Sequence, residues 1–400
     1  MEHPFPKNFL WGAATSAHQV EGNNHNDWTE WEKLGLVKNK QQSGLAAGHY
    51  DRFRQDFALA KELGHNAHRF SIEWSRVEPR PGFFDAEAID HYRQVLQELR
   101  RQNIEPIVTL HHFTNPIWVY QYGAWGERRM VDDFGRYVLT VVKELGPLVS
   151  YWVTINEPTV NSSLSYLTDF WPPQKNNPIN AWTAIRNMAK AHRLAYQIIH
   201  RHFPNAKVGV ANNLSDFVPS RPGNTFDRGL AMFAHYWHNR WWLDQTFQSQ
   251  DFIGLNYYFH HPIRAKSTFN LGLLMRPETD PAVVKSDLGW EMNATGMARV
   301  LGWLAQYNRP IIITENGVAD AGDKYRARFI REHVAVVADA LHHGIDIRGY
   351  LYWSLLDNFE WREGFDPRFG LIEVDYHTMA RKVRPSAYTY RQICQQNGLG

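Results

Sequence analysis

The 400-residue chain contains one cysteine, Cys394. A single thiol excludes a disulfide bond within the chain and any metal site built from several cysteines. The chain also lacks an excess of charge, because 43 basic residues stand against 41 acidic residues and the formal net charge is +2. Basic pairs such as Arg100-Arg101 and Arg128-Arg129 are short and isolated. We therefore predict no nucleic-acid partner, since such partners bind extended basic surfaces.

Long apolar runs are absent as well. The sequence has no stretch of about 18 apolar residues, which predicts no membrane span and no membrane partner. The first residues, MEHPFPKNFLWGAATS, lack the basic segment and long apolar segment of a secretion signal. We therefore expect a cytoplasmic protein, and the sequence does not indicate its oligomeric state.

Eight short apolar runs alternate with helical patterns along the chain. The runs are FLWGAA from Phe9, AHRFSI from Ala67, PIVTL from Pro106, YWVTI from Tyr151, KVGVA from Lys207, DFIGLNYY from Asp251, PIIIT from Pro310 and IRGYLYW from Ile347. Helical patterns with apolar residues at three- and four-residue spacing begin near Asp51, Ala88, Ala181 and Ala327. Runs that are apolar on both faces are typical of parallel strands covered by helices.

This alternation predicts the α/β class, with residues 1–400 forming a single (β/α)8 TIM barrel with elaborated βα loops. A doubly wound open sheet has a similar alternation. However, no glycine-rich dinucleotide or phosphate loop follows the first run, which favours the barrel. Long loops are expected at WPPQKNNPIN, from Trp171, and from Arg264 to Asp287.

Polar residues follow the apolar runs at the same end, run after run. They are Gln19 and Glu21 after the first run, His111 and His112 after the third, Asn156 and Glu157 after the fourth, Asn256 and Tyr258 after the sixth, Glu315 and Asn316 after the seventh, and Trp353, Asp357, Glu360 and Trp361 after the eighth. Any one of these ends could cap the next helix. Capping explains six similar ends poorly, and barrels build active sites at the carboxyl ends of their strands. We therefore predict one shared site there.

Two glutamates indicate the chemistry of that site. Glu157 and Glu315 follow the fourth and seventh runs, which lie across the mouth of an eight-stranded barrel. Paired carboxyls about 5 Å apart suit the cleavage of a glycosidic bond, with one protonated and the other ionised. Arg69, in the second run, and Tyr258 could hold Glu315 as an anion. The alternative is a pair of unrelated helix caps.

Several motifs resemble those of the family 1 glycoside hydrolases. VTINEP (Val153–Pro158) and IITENG (Ile312–Gly317) are similar to the two signature motifs of that family. The likeness extends through FPKNFLWGAATSAHQVEG, HRFSIEWSRV, TLHHF, DFIGLNYY and WSLLDNFEWREGFDPRFGL, over nearly the whole chain. The resemblance implies a retaining exo-β-glycosidase, a β-glucosidase with β-galactosidase and β-fucosidase activity, which uses no cofactor and no metal. Its substrate would be a small β-glycoside or an oligosaccharide.

The resemblance also implies roles for individual residues. Glu157 would be the general acid/base, and Glu315 would be the nucleophile that forms a covalent glycosyl-enzyme. Asn156 would bind the sugar 2-hydroxyl, while Arg69 and Tyr258 would orient the nucleophile. The residues implied in substrate binding are Asn256, in support of the nucleophile, Gln19, His112, Glu360 and Trp361 at the hydroxyls, Trp353 beneath the ring, Phe369 near the exocyclic carbon and Trp290 at the mouth.

Glu360 further predicts the substrate class. Members of the family that act on 6-phosphorylated sugars lack this acid, and a carboxylate here would repel a phosphate at close range. We therefore expect unphosphorylated β-D-glycosides.

The sequence departs from the family pattern at several places. His18 and Phe113 replace a tyrosine and a tryptophan, which predicts a slightly looser pocket. The run EMNATGM after Trp290 lacks a usual proline. LDQTFQSQ connects directly to the sixth run, without the segment that the family generally inserts. From this shortening we predict a more open or more mobile rim near the fifth and sixth strands.

Three other functions remain open from the sequence. A carbohydrate-binding barrel without activity would be expected to lack one of the two glutamates. A barrel metallohydrolase is suggested by the 20 histidines and by the pair His111-His112. However, an adjacent pair is a weak ligand pattern. A transglycosylase would use the same residues, with a sugar hydroxyl in place of water.

Overall fold

The computed structural model describes residues 5–265 and 283–399, so most of the expected loop from Arg264 to Asp287 lies outside the described residues. The barrel strands are β1 (Leu10–Ala14), β2 (Ala67–Ser71), β3 (Glu105–His111), β4 (Tyr151–Asn156), β5 (Lys207–Asn213), β6 (Phe252–Asn256), β7 (Ile311–Asn316) and β8 (Ile347–Trp353). Every neighbouring pair is parallel, and β1 pairs with both β2 and β8, which closes the ring. The eight predicted strands and the barrel are confirmed, and the open sheet is excluded.

A helix of at least 11 residues follows each strand. These helices are α1 (His49–Glu62), α2 (Ala86–Arg101), α3 (Met130–Leu145), α4 (Pro178–His202), α5 (Thr225–His235), α6 (Ala294–Leu304), α7 (Arg326–His342) and α8 (Pro385–Gln396). The four predicted helices are confirmed, but all begin one to three residues earlier than predicted, as α2 and α4 do. The side chains of Asp85 and Asn177 cap them by accepting hydrogen bonds from N–H groups of the first turn. Within the described ranges, no helix has both the length and the apolar character to cross a membrane.

Shorter elements lie between the main strands and helices. The short α-helices are Ala17–Val20, Asp27–Glu32, Trp74–Val77, Ile117–Gln121, Pro158–Ser162 and Trp241–Thr246, and the π-helical segments are Ser163–Leu167 and Tyr236–Arg240. The 3₁₀ turns are Lys38–Lys40, Ala124–Gly126, Gly146–Leu148, Phe247–Ser249, Ala305–Tyr307 and Trp361–Glu363. Two small sheets pair Asp216–Pro219 with His260–Ile263, and Ile372–Val374 with Arg381–Val383.

The apolar strands pack on both faces, as β7 illustrates. Ile311 and Ile313 belong to the large cluster that includes residues of the surrounding helices. Ile312, between them, belongs to a separate cluster with one apolar residue from each of six other strands, namely Ala67, Ile107, Val153, Ala211, Phe252 and Leu351. Because successive side chains of a strand point to opposite faces, this second cluster fills the inside of the barrel.

The connection that leads into β6 is short, as the sequence indicated. The helix Trp241–Thr246 is followed by the turn Phe247–Ser249, and β6 begins at Phe252. This connection reaches the amino end of β6, whereas the polar strand ends lie at the carboxyl end. The predicted open rim therefore does not follow from the shortened segment.

Candidate active site

The pairing register of the strands brings polar residues to one level. Asn213 of β5 pairs with Asn256 of β6, and Asn256 pairs with Glu315 of β7. Glu157 follows β4 directly with a left-handed backbone (φ 45°, ψ 58°), and its N–H donates to the carbonyl of Ala211 in β5. Neighbouring strands therefore present their polar ends to one space.

These strand ends surround a cavity of about 600 Å³. Eleven of the thirteen predicted site residues line it: Gln19, His112, Asn156, Glu157, Tyr258, Trp290, Glu315, Trp353, Glu360, Trp361 and Phe369. The other two, Arg69 and Asn256, are fully buried and contact the lining through hydrogen bonds. The predicted residues thus share one pocket.

Glu315 lies beside a buried cation. Arg69 Nη1 donates to Glu315 Oε1 at 2.5 Å, and Tyr258 Oη donates to Glu315 Oε2 at 2.8 Å. Arg69 also donates to Thr109 Oγ1 at 3.0 Å and to Asn156 Oδ1 at 2.6 Å, which fixes its position. Burial raises the pKa of Glu315, while the charge of Arg69 and these hydrogen bonds oppose that rise. The ionised form of Glu315 is therefore directly stabilised.

Glu157 has neutral partners instead. Its Oε1 accepts hydrogen bonds from Asn256 Nδ2 at 2.8 Å and from Asn213 Nδ2 at 3.0 Å. Burial and the negative charge of Glu315 raise the pKa of Glu157 to about 7, and the two amides oppose the rise. One cavity therefore contains a carboxyl paired with a cation and another that keeps its proton close to neutral pH. Such a pair can combine nucleophilic attack with proton donation.

A carboxamide and a third carboxyl occupy another part of the wall. Gln19 Nε2 donates to Asn358 Oδ1 at 2.9 Å and to Glu360 Oε2 at 3.2 Å. Burial and the charges of Glu315 and Glu157 raise the pKa of Glu360 to about 8. A protonated Glu360 can donate one hydrogen bond and accept another, which suits adjacent hydroxyl groups of a ligand.

His112 offers an unused hydrogen-bond donor. Asn156 Nδ2 donates to His112 Nε2 at 3.2 Å, so the neutral ring carries its proton on Nδ1. Burial lowers the pKa of His112 well below its usual value, which keeps the ring neutral. Within the described part of the chain, the buried Nδ1 atom has no hydrogen-bond partner. Because this Nδ1 atom is shielded from solvent, His112 lines the cavity through other atoms of the residue.

Aromatic rings form much of the remaining wall. The rings of Trp353 and Trp361 are nearly parallel to the His112 ring, with interplanar angles of 19° and 15°. Both ring centroids lie 6.0 Å from the centroid of His112. Trp290 packs edge-on against Tyr258, with the centroids 5.8 Å apart. Flat apolar surfaces of this kind can stack on the C–H face of a pyranose.

The two residues that depart from the family pattern pack against Trp361, and Phe113 itself lines the cavity. His18 lies parallel to Trp361 at 5.4 Å, and His18 Nε2 lies 2.9 Å from Glu32 Oε1. Phe113 contacts the same indole edge-on at 5.2 Å. Both side chains are buried and support the wall of the pocket. That they loosen the pocket stays a prediction.

Several residues of this site are not among those predicted from the sequence. Asn213 ends β5, and the rule that polar residues follow apolar runs would have found it, because the sequence there reads KVGVANN. Asn358 has a similar signal in the polar stretch after β8. His238 and His261 also line the cavity. They belong to a helical segment and a small sheet outside the barrel, where no sequence pattern marks a site.

The pair His111-His112 does not form a joint ligand set. His111 packs against Trp125 and Phe134, and its Nε2 lies 3.1 Å from Asn115 Oδ1, whereas His112 lines the cavity. Among residues 5–265 and 283–399, no group of three His, Cys, Asp or Glu side chains is placed to hold a metal ion.

Comparisons with known proteins agree with this geometry. The family model for glycosyl hydrolase family 1 matches residues 1–250 and 247–399. The 1,4-beta-D-glucan glucohydrolase of Thermotoga neapolitana is 30% identical over 443 residues, covering 99% of this chain and 99% of that protein. Beta-glucosidase A of Thermotoga maritima is 30% identical over 449 residues, covering 99% and 98%. Among solved structures, the beta-glycosidase from Pyrococcus horikoshii has a TM-score of 0.93 and 38% identity, covering 100% of this chain and 97% of that one.

Proposed function

The chain belongs to glycosyl hydrolase family 1, and from that premise we propose that it is a retaining exo-β-glycosidase of unphosphorylated β-D-glycosides. Its preferred substrates are β-glucosides, in line with the names of the two relatives from Thermotoga. β-Galactosides and β-fucosides are secondary substrates. The reaction is a double displacement, and the glycone leaves with its anomeric configuration retained.

In the first step, the Glu315 carboxylate attacks the anomeric carbon and Glu157 gives its proton to the leaving oxygen. The support for this assignment is electrostatic. Glu315 has the Arg69 guanidinium at 2.5 Å, whereas Glu157 has only amide donors and a pKa of about 7. The carboxyl beside the cation ionises first, and its charge then helps the other carboxyl to keep its proton.

In the second step, a water molecule hydrolyses the glycosyl-enzyme. Glu157, now ionised, removes a proton from this water, and Glu315 is the leaving group. Loss of the charge on Glu315 during the first step lowers the pKa of Glu157, because burial and that charge are what raised it. The acid of the first step thereby becomes a base for the second.

The polar wall holds the sugar hydroxyls. We assign Gln19, Glu360 and His112 to these hydroxyls, because each is a polar residue that lines the cavity. Trp353 provides an aromatic surface for the apolar face of the ring. A buried hydroxyl-binding group discriminates strongly against a ligand that leaves it unpaired. This arrangement favours an intact, unmodified pyranose.

The absence of a 6-phosphate on the substrate follows from Glu360. With a pKa of about 8, a protonated Glu360 offers a phosphate one hydrogen bond but no positive charge, and an ionised Glu360 would repel it. The Glu315 carboxylate already places negative charge near the same space. A phosphate dianion would therefore bind poorly.

The observation that carries the proposal is the shared cavity of Glu157 and Glu315 with their unequal partners. A 2-deoxy-2-fluoro-β-glucoside with a dinitrophenyl leaving group tests it, because the fluorine slows hydrolysis of the glycosyl-enzyme. Peptide mass spectrometry should find the sugar on Glu315. The variant Glu315→Ala should take up no label, whereas Glu363→Gln, which changes another carboxyl of the cavity lining, should keep it.

A label on another residue would contradict the assignment of the nucleophile. Inversion at the anomeric carbon, followed by proton NMR of the first sugar released, would contradict the double displacement.

A further inference from the structure

Asn213, the last residue of β5, has a direct contact with the proposed acid. Its side chain is buried, and Asn213 Nδ2 donates to Glu157 Oε1 at 3.0 Å. Asn213 also lines the cavity. The strand register explains the contact, because Asn213 pairs with Asn256, and both amides point to the same carboxyl.

The two amides donate hydrogen bonds to one oxygen of the Glu157 carboxyl and not to the other. Asn213 and Asn256 both donate to Oε1, at 3.0 Å and 2.8 Å. Within the described part of the chain, Oε2 receives no comparable donor. A carboxyl oxygen that bears a proton accepts hydrogen bonds poorly, so the proton of Glu157 lies on Oε2. The amides thus select the oxygen that gives up the proton.

The orientation of the Asn213 amide is fixed from its other side. His238 Nε2 lies 3.4 Å from Asn213 Oδ1, and since that oxygen only accepts, His238 carries its proton on Nε2. The His238 ring packs edge-on against Phe217, with centroids 5.5 Å apart. A flipped amide would bring its oxygen against Glu157 Oε1, which already accepts from Asn256, so Glu157 selects the observed orientation. His238 supports this orientation in the tautomer that carries its proton on Nε2.

We propose that Asn213 is a positioning residue that directs the acidic proton of Glu157 to Oε2, with His238 holding its amide in the working orientation. The inference rests on the proposed role of Glu157 as general acid/base. Asn256 is less specific for this task, because it also donates to Asn156 at 3.2 Å and accepts from Thr314 at 2.7 Å. Among the described residues, the Asn213 amide group donates its hydrogen bond to Glu157 alone.

Other ionisable groups act on Glu157 from different elements. Glu315 and Arg69 change its pKa from β7 and β2. Tyr258 and Glu360 are close enough to respond to its charge. His261 and His235 lie around His238 and lower its pKa together with burial, which comes first. In the described ranges, none of these groups has a hydrogen bond to Asn213, so a change at Asn213 reports on its own contact.

The test compares Asn213→Ala with Asn212→Ala. Asn212 is the adjacent buried amide, and it donates to the carbonyls of Val210 and Gly254 instead of to Glu157. The measurement is kcat/KM against pH for an alkyl β-glucoside, whose poor leaving group needs the acid. Loss of a donor to the carboxylate should move the basic limb of Asn213→Ala up by about one pH unit. The maximal kcat/KM should fall about tenfold.

For a dinitrophenyl β-glucoside, whose leaving group needs no acid, Asn213→Ala should change kcat/KM far less. Asn212→Ala should keep the basic limb of the parent enzyme. Asn213→Asp supplies a second variant of nearly the same shape. It cannot donate to Glu157 and adds a negative charge, so it should move the basic limb further up.

Unchanged basic limbs in both Asn213 variants, or equal losses with the two substrates, would overturn the inference. Failure of the proposed function is distinguishable, because Glu157→Ala would then leave alkyl glucoside hydrolysis intact. If Glu157→Ala behaves as the loss of an acid while Asn213 variants match Asn212→Ala, only the role of Asn213 is wrong.

Discussion

Replacing Arg69 with methionine should shift the ionisation of Glu315, the proposed nucleophile. Arg69 is fully buried, and its Nη1 donates to Glu315 Oε1 at 2.5 Å. Opposite unit charges about 4 Å apart interact by about 4 kcal/mol at an effective dielectric constant of 20. One pKa unit corresponds to about 1.4 kcal/mol, so loss of Arg69 should raise the pKa of Glu315 by about three units. Because the proposed attack by Glu315 requires its anion, the acid limb of the pH profile should move up equally.

The dinitrophenyl β-glucoside isolates this effect, because its departure needs no proton from Glu157. In Arg69→Met, kcat/KM should fall by about a thousandfold on the acid side of neutrality. It should recover as the pH rises. The rate at which the 2-fluoro glucoside labels Glu315 should follow the same limb.

Arg381→Met is the matched control. Arg381 is also a buried arginine, and it donates to Asp56 at 2.8 Å, away from the cavity lining. Its loss should lower the melting temperature without moving the acid limb. The reasoning would be refuted if Arg69→Met, shown by circular dichroism to be folded, had its acid limb at the same pH as the parent enzyme. An equal shift in Arg381→Met would refute it as well.

Further expected outcomes concern the acid, the sugar platform and metals. Glu157→Ala should slow an alkyl glucoside by about 10²–10⁴ and the dinitrophenyl glucoside far less; equal losses, measured as kcat/KM, would speak against an acid. In the parent enzyme, kcat/KM for the alkyl glucoside should decline above about pH 7, where Glu157 loses its proton, and a constant value to pH 9 would contradict this. Trp353→Ala should raise KM for glucosides by about tenfold through lost stacking, and an unchanged KM would argue for another platform. Treatment with a chelator should leave kcat/KM unchanged; activity restored only by an added metal would favour a metallohydrolase.

The strands could be predicted because their pattern is local. PIIIT and YWVTI are apolar on both faces. Only strands that are covered on both sides need apolar residues on both faces. The helix starts were less accurate. The caps Asp85 and Asn177 lie before the apolar pattern begins, so a prediction based on apolar spacing starts too late.

The site could be predicted to the level of residue type, but its electrostatics could not. Polar residues after successive runs predicted a shared pocket, and eleven predicted residues line it. The different partners of Glu157 and Glu315 depend on distances across the barrel, which no local pattern contains. Asn213 was overlooked because the fifth run was read only to Ala211. The rim prediction placed the shortened segment at the wrong end of β6, because sequence order alone does not tell which loops share a face.

The left-handed backbone of Glu157 lowers the stability of the fold at the residue that the proposed activity requires. For a residue with a Cβ atom this conformation costs about 1 kcal/mol or more, and glycine would avoid the cost. Glycine after β4 would relieve this cost but would remove the proposed proton donor. Glutamate at this turn therefore places a carboxyl in the cavity at some cost in backbone stability.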